Sequence, residues 1–334
     1  MDLDLLIDLG IVGVKIAIAV WVLLTAVAYL IFLERRLVGR MQARIGPNRV
    51  GPFGLLQPLA DILKLIFKEE IIPQGVDLPV YFLAPAVAVI PALMSFAVIP
   101  IGPSIQILGR QTPLYIADLN IGLLYVLAMS SMAVYGVVLA GWSSGSKYSF
   151  LGALRSSAQM ISYELPVSLA VMGVLLVSGS LSLVEIVESQ KDVWNVMLQP
   201  LGFVLYLIAA VAEVNRAPFD LPEAETELVA GYHTEYSSLK WGLFFLSEYI
   251  NMIVVSSLAV TLFLGGWNGP LLPPLVWYFI KLFALIFLFV WLRATFPRLR
   301  YDRLMQLGWK RLMPLALVNI LLTATAIVVR DMLL

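Results

Sequence analysis

Carboxylates crowd one stretch of the chain, from residue 213 to residue 248. Only two basic side chains, Arg216 and Lys240, lie among seven acids. Glu223 and Glu227 are four residues apart, so a helix here would place both on one face, where like charges repel. Apolar residues between the acids favour partial burial, which raises a carboxylate pKa and lets the group exchange a proton near neutral pH. A solvated acidic loop is the alternative. The acids are Glu213, Asp220, Glu223, Glu225, Glu227, Glu235 and Glu248.

Two carboxylates, Glu164 and Glu248, fall inside long apolar segments. A charge within a membrane is costly, and such a residue marks a functional site by default. A structural ion pair within a helix bundle is the alternative for each. The single histidine, His233, is interpreted as a hydrogen-bonded loop residue rather than a metal ligand.

The composition is that of a membrane protein. Hydrophobic residues make up 60% of the 334 and charged residues only 13%, whereas soluble domains carry about 25% charged residues. The net charge of zero gives no reason to expect a nucleic-acid partner. Because the chain has no cysteine and one histidine, disulfides, thiolate zinc sites, cysteine-held iron–sulfur clusters and a bis-histidine haem within the chain are excluded.

Eight segments are apolar enough to cross a bilayer, which takes about 20 helical residues. The fifth of these segments is the shortest. We therefore predict an all-α integral membrane protein with about eight transmembrane helices, forming a single polytopic domain over residues 1–334. The predicted spans lie near residues 11–33, 79–101, 119–141, 158–178, 197–213, 241–265, 275–296 and 312–330.

Basic residues are distributed unevenly between the two sides of the predicted membrane. The loops that follow the odd-numbered spans, together with Arg293, hold 17 of the 22 lysines and arginines. Because loops rich in lysine and arginine stay on the cytoplasmic side, we expect these loops to face the cytoplasm. The favoured location is the plasma (inner) membrane of a bacterium rather than an organellar inner membrane. The predicted cytoplasmic loops are residues 34–78, 142–157, 214–240 and 297–311.

The first of these loops contains a second kind of pattern. Two Gly-Pro pairs within residues 46–52 indicate a tight turn. After it, apolar and polar residues each recur at helical spacing on separate faces. This pattern predicts an amphipathic helix lying in the membrane interface. The apolar positions are Leu55, Leu59, Ile62 and Ile66, and the polar positions are Gln57, Asp61, Lys64 and Lys68.

The loop sequences closely resemble one family, the NuoH family, which provides the quinone-site membrane subunit of respiratory complex I (NADH–quinone oxidoreductase). The resemblance covers essentially the whole chain, in order, and its motifs are long and specific. The matching stretches are Glu34-Arg35-Arg36 and residues 44–52, 54–61, 159–164, 213–225 and 297–302.

The resemblance implies a function. In that family the protein forms the membrane end of a quinone chamber. An iron–sulfur cluster in a neighbouring hydrophilic subunit reduces the quinone, and buried acids begin the path to proton translocation. The implied chamber residues are Arg35, Arg36, Phe53, Asp61, Arg216, Asp220, Arg293 and Arg298. The implied proton-coupling acids are Glu164, Glu213, Glu223, Glu225, Glu227, Glu235 and Glu248.

Cofactors and partners follow from the same resemblance. The chain would have no catalytic residue, metal or cofactor of its own, with a quinone such as ubiquinone as substrate and FMN and iron–sulfur clusters in partner subunits. Consistently, the sequence has no G-x-G-x-x-G dinucleotide fingerprint. The partners would be the hydrophilic quinone-site subunits, neighbouring membrane subunits and the lipid bilayer.

Two positions depart from the family pattern. Ser131 stands where some relatives carry a glutamate, so no acid at this point can belong to a proton path. Arg303 follows Asp302 where many relatives have glutamine, which adds a positive charge near the last cytoplasmic loop.

Other function classes stay open on the sequence alone. A homologous component of a membrane-bound hydrogenase would share the spans and loops. A stand-alone proton or cation transporter would use the same buried acids, although the chain lacks the repeated halves common in transporters. A passive membrane anchor would explain the spans but not the acids within them.

Overall fold

The structure is a computed structural model that describes residues 3–107, 110–220 and 231–333. Within these ranges most of the chain is helical and there is almost no sheet, which confirms the predicted all-α membrane fold. Short 3₁₀ segments lie at Pro52–Gly54 and Gly231–His233, and a π-helical turn at Gly308–Leu312 joins the last two helices. The helices are α1 Leu3–Met41, α2 Gln57–Phe67, α3 Leu78–Phe96, α4 Gly122–Ser143, α5 Lys147–Ser178, α6 Leu183–Ser189, α7 Asn195–Leu198, α8 Pro200–Glu213, α9 Ser238–Phe263, α10 Pro274–Thr295, α11 Tyr301–Leu307 and α12 Met313–Leu333.

A small hairpin, which the predicted all-α pattern does not include, interrupts the helices. Its strands, β1 Ile105–Ile107 and β2 Arg110–Thr112, pair antiparallel with Gln106 opposite Gln111. The hairpin lies between α3 and α4, so it connects two spans on the side predicted to face away from the cytoplasm.

Seven helical segments of the described chain are long and apolar enough to cross a membrane, so the chain is a multi-pass membrane protein. The fifth predicted span corresponds to α8, which has only 14 residues. At 1.5 Å per residue, α8 covers about 21 Å, less than the roughly 30 Å of a bilayer core. The predicted number of eight crossings and their boundaries therefore stay a prediction.

The amphipathic helix predicted in the first loop is present as α2. Leu59, Ile62 and Ile66 on its apolar face are exposed in the chain alone. Such a face beside transmembrane segments is typical of a helix that lies in the membrane surface. Pro58 falls in its first turn, where the missing N–H removes no helical hydrogen bond.

The core lies where α5, α8 and α9 pack together. Tyr163, Tyr206 and Phe263 are fully buried there. Small residues allow close helix contacts, because a side chain on Gly136 of α4 would lie 2.7 Å from the backbone of Ala88 on α3. Membrane helices commonly approach through small residues in this way. This contact holds α4 firmly in place within the bundle.

The last part of the predicted loop 214–240, from Gly231 onward, packs against the helix bundle. Gly231 lies so close to Gly152 of α5 that a side chain on Gly152 would meet its backbone at 2.7 Å. Tyr236 stacks on Tyr81, with 4.2 Å between ring centroids, and the Tyr81 hydroxyl donates to the Glu235 carbonyl at 2.8 Å. The predicted acids Glu223, Glu225 and Glu227 lie outside the described residues.

Candidate functional site

Four charged side chains and a tyrosine meet where α1, α9 and α10 approach the loop after α8. Arg216 Nε lies 2.7 Å from Glu248 Oε1, and Arg216 Nη1 lies 3.4 Å from Glu34 Oε1. Arg293 also pairs with Glu34. The Tyr249 hydroxyl donates to Glu34 Oε2 at 2.7 Å, and the Arg216 guanidinium lies 4.1 Å from the centre of the Tyr249 ring. We call these five residues the Glu34 cluster.

The Glu34 cluster is largely buried, and its two carboxylates balance its two guanidinium groups. Glu34 and Arg216 are each only 5% exposed. Burial alone would lower the pKa of Arg216, but Glu248, with Tyr249 and Glu34, raises that pKa above its usual value. Arg216 therefore keeps its charge at any physiological pH. Removal of one charge would leave its partner unpaired in a low-dielectric site, which is strongly unfavourable.

The motif Glu34-Arg35-Arg36 connects this cluster to the first loop. Successive helical residues point about 100° apart, so the three side chains reach three different places. Glu34 points into the cluster, Arg35 Nη1 lies 2.8 Å from Asp61 Oδ2, and Arg36 Nη1 donates to the Phe53 carbonyl at 3.2 Å. The contacts of Arg35 and Arg36 are solvent-exposed. The motif thus joins an open surface to a buried charge cluster.

Phe53 is the exposed residue that Arg36 holds in place. Its side chain is 75% exposed, and its backbone φ of 53° lies in the left-handed region. A bulky residue is uncommon in this region, and such strain is concentrated at functional sites. An exposed aromatic ring held by an arginine is well suited to contact a planar ligand.

A second ion pair lies on the other side of the loop after α8. Arg298 Nη2 is 3.3 Å from Asp220 Oδ2, and Asp220 is buried. The Leu299 N–H donates to the Pro218 carbonyl at 3.0 Å, which ties the two segments together. Burial lowers the pKa of His233 to about 4, although Asp220 acts in the opposite direction. His233 is therefore neutral near pH 7.

Two acids deeper in the bundle accept hydrogen bonds from consecutive serines of α4. Ser130 donates to Glu213 at the end of α8, and Ser131 donates to Glu164 on α5. Glu213 is 7% exposed, and Glu164 is half-buried. The hydroxyl of Ser131 also reaches the Leu127 carbonyl at 3.1 Å.

Two narrow cavities, of about 40 Å³ and 30 Å³, both border Glu213. Glu248 lines the first and Ser130 lines the second. Each is large enough for water, and polar groups are present to bind it. Polar groups therefore run with little interruption through the bundle. In order, they are the Glu34 cluster with Glu248, the first cavity, Glu213, Ser130, Ser131 and Glu164.

The structure brings together only part of the predicted site. Arg216 and Arg293 share Glu34, Asp220 pairs with Arg298, and the other four predicted chamber residues form two exposed pairs in the first loop. Glu235 lies in the loop before α9, where its carbonyl accepts a hydrogen bond from the Tyr81 hydroxyl. The chamber and coupling roles of all these residues stay predictions.

Four residues of the site are not among the predicted site residues: Glu34, Tyr249, Ser130 and Ser131. A carboxylate at the end of the first apolar segment, just before two arginines, is a usable signal for Glu34. Tyr249 follows Glu248 in the sequence but carries no pattern that marks it. Ser130 has no sequence signal at all, because its role depends on which helix packs beside α4.

Comparisons with known proteins identify the family. A family model described as NADH dehydrogenase matches residues 14–324. The chain is 58% identical over 316 residues to one of the NADH-quinone oxidoreductase subunits of Geobacter sulfurreducens, across 95% of this chain and 96% of that protein. It belongs to the NuoH family of NADH-quinone oxidoreductase subunits.

Other members of the NuoH family match equally completely. The chain is 53% identical over 327 residues to an NADH-quinone oxidoreductase subunit of Syntrophotalea carbinolica, across 98% of this chain and 99% of that protein. The resemblance drawn from the loop motifs is thus confirmed. The chain is accordingly a membrane subunit of an enzyme, in the family of complex I.

Proposed function

We propose that this chain receives quinone at the membrane surface of a bacterial NADH–quinone oxidoreductase and couples quinone reduction to proton translocation. The observation that supports this most directly is the polar route from the exposed first loop into the bundle. It begins at Arg36 and Asp61, passes through the Glu34 cluster and ends at Glu213 and Glu164.

The outer part of this route suits a quinone. A quinone has a planar head group with carbonyl oxygens that accept hydrogen bonds, and an apolar tail. Binding sites for such molecules are mostly apolar with a few placed polar groups. Arg36 offers a guanidinium, Phe53 an exposed ring, and the exposed Leu55 and Leu59 an apolar surface for the tail.

The inner part suits the coupling role. Quinone reduction consumes protons as well as electrons, so it changes the charge beside Arg36 and Arg293. The Glu34 cluster is balanced in charge and largely screened from water, and such networks respond strongly to a nearby charge. Glu248 belongs to the cluster and also lines the cavity that reaches Glu213. A change of charge in the Glu34 cluster therefore alters the electrostatic environment of Glu213.

The proposal includes partners and cofactors. Quinone is the substrate, while FMN and the iron–sulfur clusters belong to hydrophilic partner subunits. Neighbouring membrane subunits continue the proton route, and the complex lies in the bacterial plasma (inner) membrane. Glu223, Glu225 and Glu227 are assigned proton-holding roles from the sequence alone, so Glu225→Gln should lower quinone reduction and proton pumping in step.

Purification from native membranes, followed by kinetics on chamber variants, tests the proposal. The chain should purify with NADH dehydrogenase activity. Arg36→Ala and Arg298→Ala should lower quinone reduction by roughly tenfold or more, because each removes a guanidinium from the proposed quinone chamber. Electron transfer from NADH to a water-soluble artificial acceptor should persist, since that acceptor takes electrons before the quinone.

Arg300→Ala is the matched control, because Arg300 lies in the same loop and its side chain is 82% exposed. It should leave both activities unchanged. Equal loss of both activities in the Arg36 and Arg298 variants, or purification without any NADH dehydrogenase activity, would contradict the proposal.

A further inference from the structure

One arrangement in the bundle is not explained by a quinone site alone. Ser130 and Ser131 are neighbours in the sequence, yet they bind acids from two different helices. Glu213 ends α8, and Glu164 lies within α5. Two adjacent side chains of α4 thus bond to carboxylates of two other helices, α5 and α8. The other residues that line this region are largely apolar.

Ser130 departs from the usual bonding of a helical serine, and Ser131 does so in part. A serine inside a helix usually donates its hydroxyl to a carbonyl of the preceding turn. Ser144, at the end of α4, does this with the Ala140 carbonyl at 2.6 Å. The hydroxyl of Ser130 instead goes to Glu213, and that of Ser131 reaches Glu164 as well as its own helix. Glu213 therefore directs the Ser130 hydroxyl, while the single proton of Ser131 is shared between Glu164 and the Leu127 carbonyl.

We propose that Ser130 and Ser131 are positioning residues that hold Glu213 and Glu164 in one hydrogen-bonded unit, so that a change in ionisation of one acid alters the other. The proposal rests on the coupling function proposed above and deepens it. A hydroxyl that donates to a carboxylate stabilises its ionised form. Because the serines are joined by one peptide bond, any shift of α4 acts on both acids together.

The surroundings of Glu213 make this stabilisation necessary. Three titratable groups of the described chain face it: Glu164 from α5, Glu248 from α9 across the cavity, and Tyr206 from its own helix. Like charges repel, so the carboxylates need donors between them. On α4, the hydroxyls of Ser130 and Ser131 supply those donors.

The test uses the assembled complex in native membrane vesicles. The variants are Ser130→Ala, Ser131→Ala, the corresponding threonine substitutions, and Ser144→Ala as the control. The alanine variants should shift the pH profile of NADH-driven proton uptake to higher pH, by about half a unit or more, because each loses a bond that favours the ionised acid. Threonine keeps the hydroxyl and should restore the profile, and Ser144→Ala should match the unchanged chain.

A second measurement does not depend on turnover. Infrared spectra of the purified complex, recorded over a range of pH, contain bands from carboxyl groups. The Glu164→Gln and Glu213→Gln variants each lack one of these bands, which assigns the bands of Glu164 and Glu213. In Ser130→Ala, the pH dependence of the Glu213 band should change. That of the Glu164 band should change as well, although Ser130 donates to Glu213 and not to Glu164. A merely structural serine would alter only its own contact.

The results separate the two proposals. If the unchanged complex neither reduces quinone nor pumps protons, the proposed function fails, while the infrared titration still tests the serines. If Ser130→Ala and Ser131→Ala show the pH profile of Ser144→Ala and unaltered titration of both carboxyl bands, the positioning role is overturned.

Discussion

At the scale of the residue, Glu34 contacts three other members of the Glu34 cluster. It accepts a hydrogen bond from Tyr249 and pairs with both Arg216 and Arg293. It is also the first residue of the motif that connects the buried cluster to the exposed loop. Its neutralisation therefore tests whether the cluster is one unit.

Glu34→Gln should lower both the thermal stability of the complex and quinone reduction. The change leaves Arg216 and Arg293 with Glu248 as the one carboxylate of the cluster, and breaking a buried ion pair from one side costs about 3–5 kcal/mol. Asp331→Asn is the control, because it neutralises a carboxylate in an exposed pair with Arg330, where the expected effect is close to zero. Wild-type melting and activity in Glu34→Gln would refute a unified cluster.

His233 predicts a pH dependence of stability. Its pKa falls from 6.5 to about 4 on folding, because burial opposes the charged form. The unfolded chain binds a proton as the pH falls through 6.5, and the folded chain does not until about 4, so the folded state loses stability over this range. At pH 5 the loss is about 1–2 kcal/mol.

The measurement is the melting temperature of the purified complex in detergent at pH 7.5 and pH 5, with His233→Gln as the comparison. Glutamine cannot titrate, so the gap between the two melting temperatures should narrow. If the difference between the two melting temperatures is the same with and without His233, groups other than His233 dominate the loss of stability at acidic pH.

At the scale of the element, a buried lysine fixes the far end of α9. Lys281 of α10 is 6% exposed. Its ammonium donates to the carbonyls of Leu264, Gly266 and Asn268 at 2.5, 3.0 and 2.6 Å. It also lies 4.1 Å from the ring centre of Trp194. Helix ends leave carbonyls without partners, and Lys281 supplies the missing donors for α9 and the turn after it.

Lys281→Met should therefore destabilise the chain while leaving the quinone chemistry intact. Methionine fills similar space but leaves three buried carbonyls without a donor, at a cost of about 1–3 kcal/mol for each one that finds no water. The melting temperature should fall, and activity per assembled complex at low temperature should be unchanged. Lys191→Met, on an exposed turn, should have no effect; the same loss in both variants would contradict this role.

At the scale of the whole molecule, the first loop exposes an apolar and basic surface that a free-standing chain would not retain. Ile45 and Phe53 are 79% and 75% exposed, and Arg44 and Arg49 beside them are also exposed. Large exposed apolar residues within a charged rim mark interaction sites. A hydrophilic partner protein of the complex is the occupant expected from the proposed function.

Trypsin distinguishes the free chain from the assembled complex at this surface. In detergent, the isolated chain should be cut at Arg44 and Arg49, whereas the intact complex should be spared there because a partner covers the loop. Lys191, on the opposite predicted side, serves as the control and should be cut equally in both. Ready cleavage at Arg44 and Arg49 in the intact complex would argue against docking at this loop.

The class of the molecule and its family can be predicted from the sequence. Apolar length predicts membrane helices because a helix satisfies its own backbone hydrogen bonds in lipid, so the pattern needs no tertiary information. The amphipathic spacing of α2 is equally local, and the loop motifs are long enough to indicate the NuoH family. Glu164 and Glu248 are predicted as site residues because a charge within an apolar span is costly, whereas Arg216 and Asp220 are predicted through the family resemblance.

Which of these residues meet is visible only in the folded chain. Glu34 and Arg216 are 182 positions apart, and Ser130 and Glu213 are 83 apart. No local pattern encodes such pairs, because they depend on which helices pack together and at what depth. The same is true of the position of the short helix α8, which packs against α5 and α9. The sequence supplies the charged groups, and the packing of the helices turns them into a connected route.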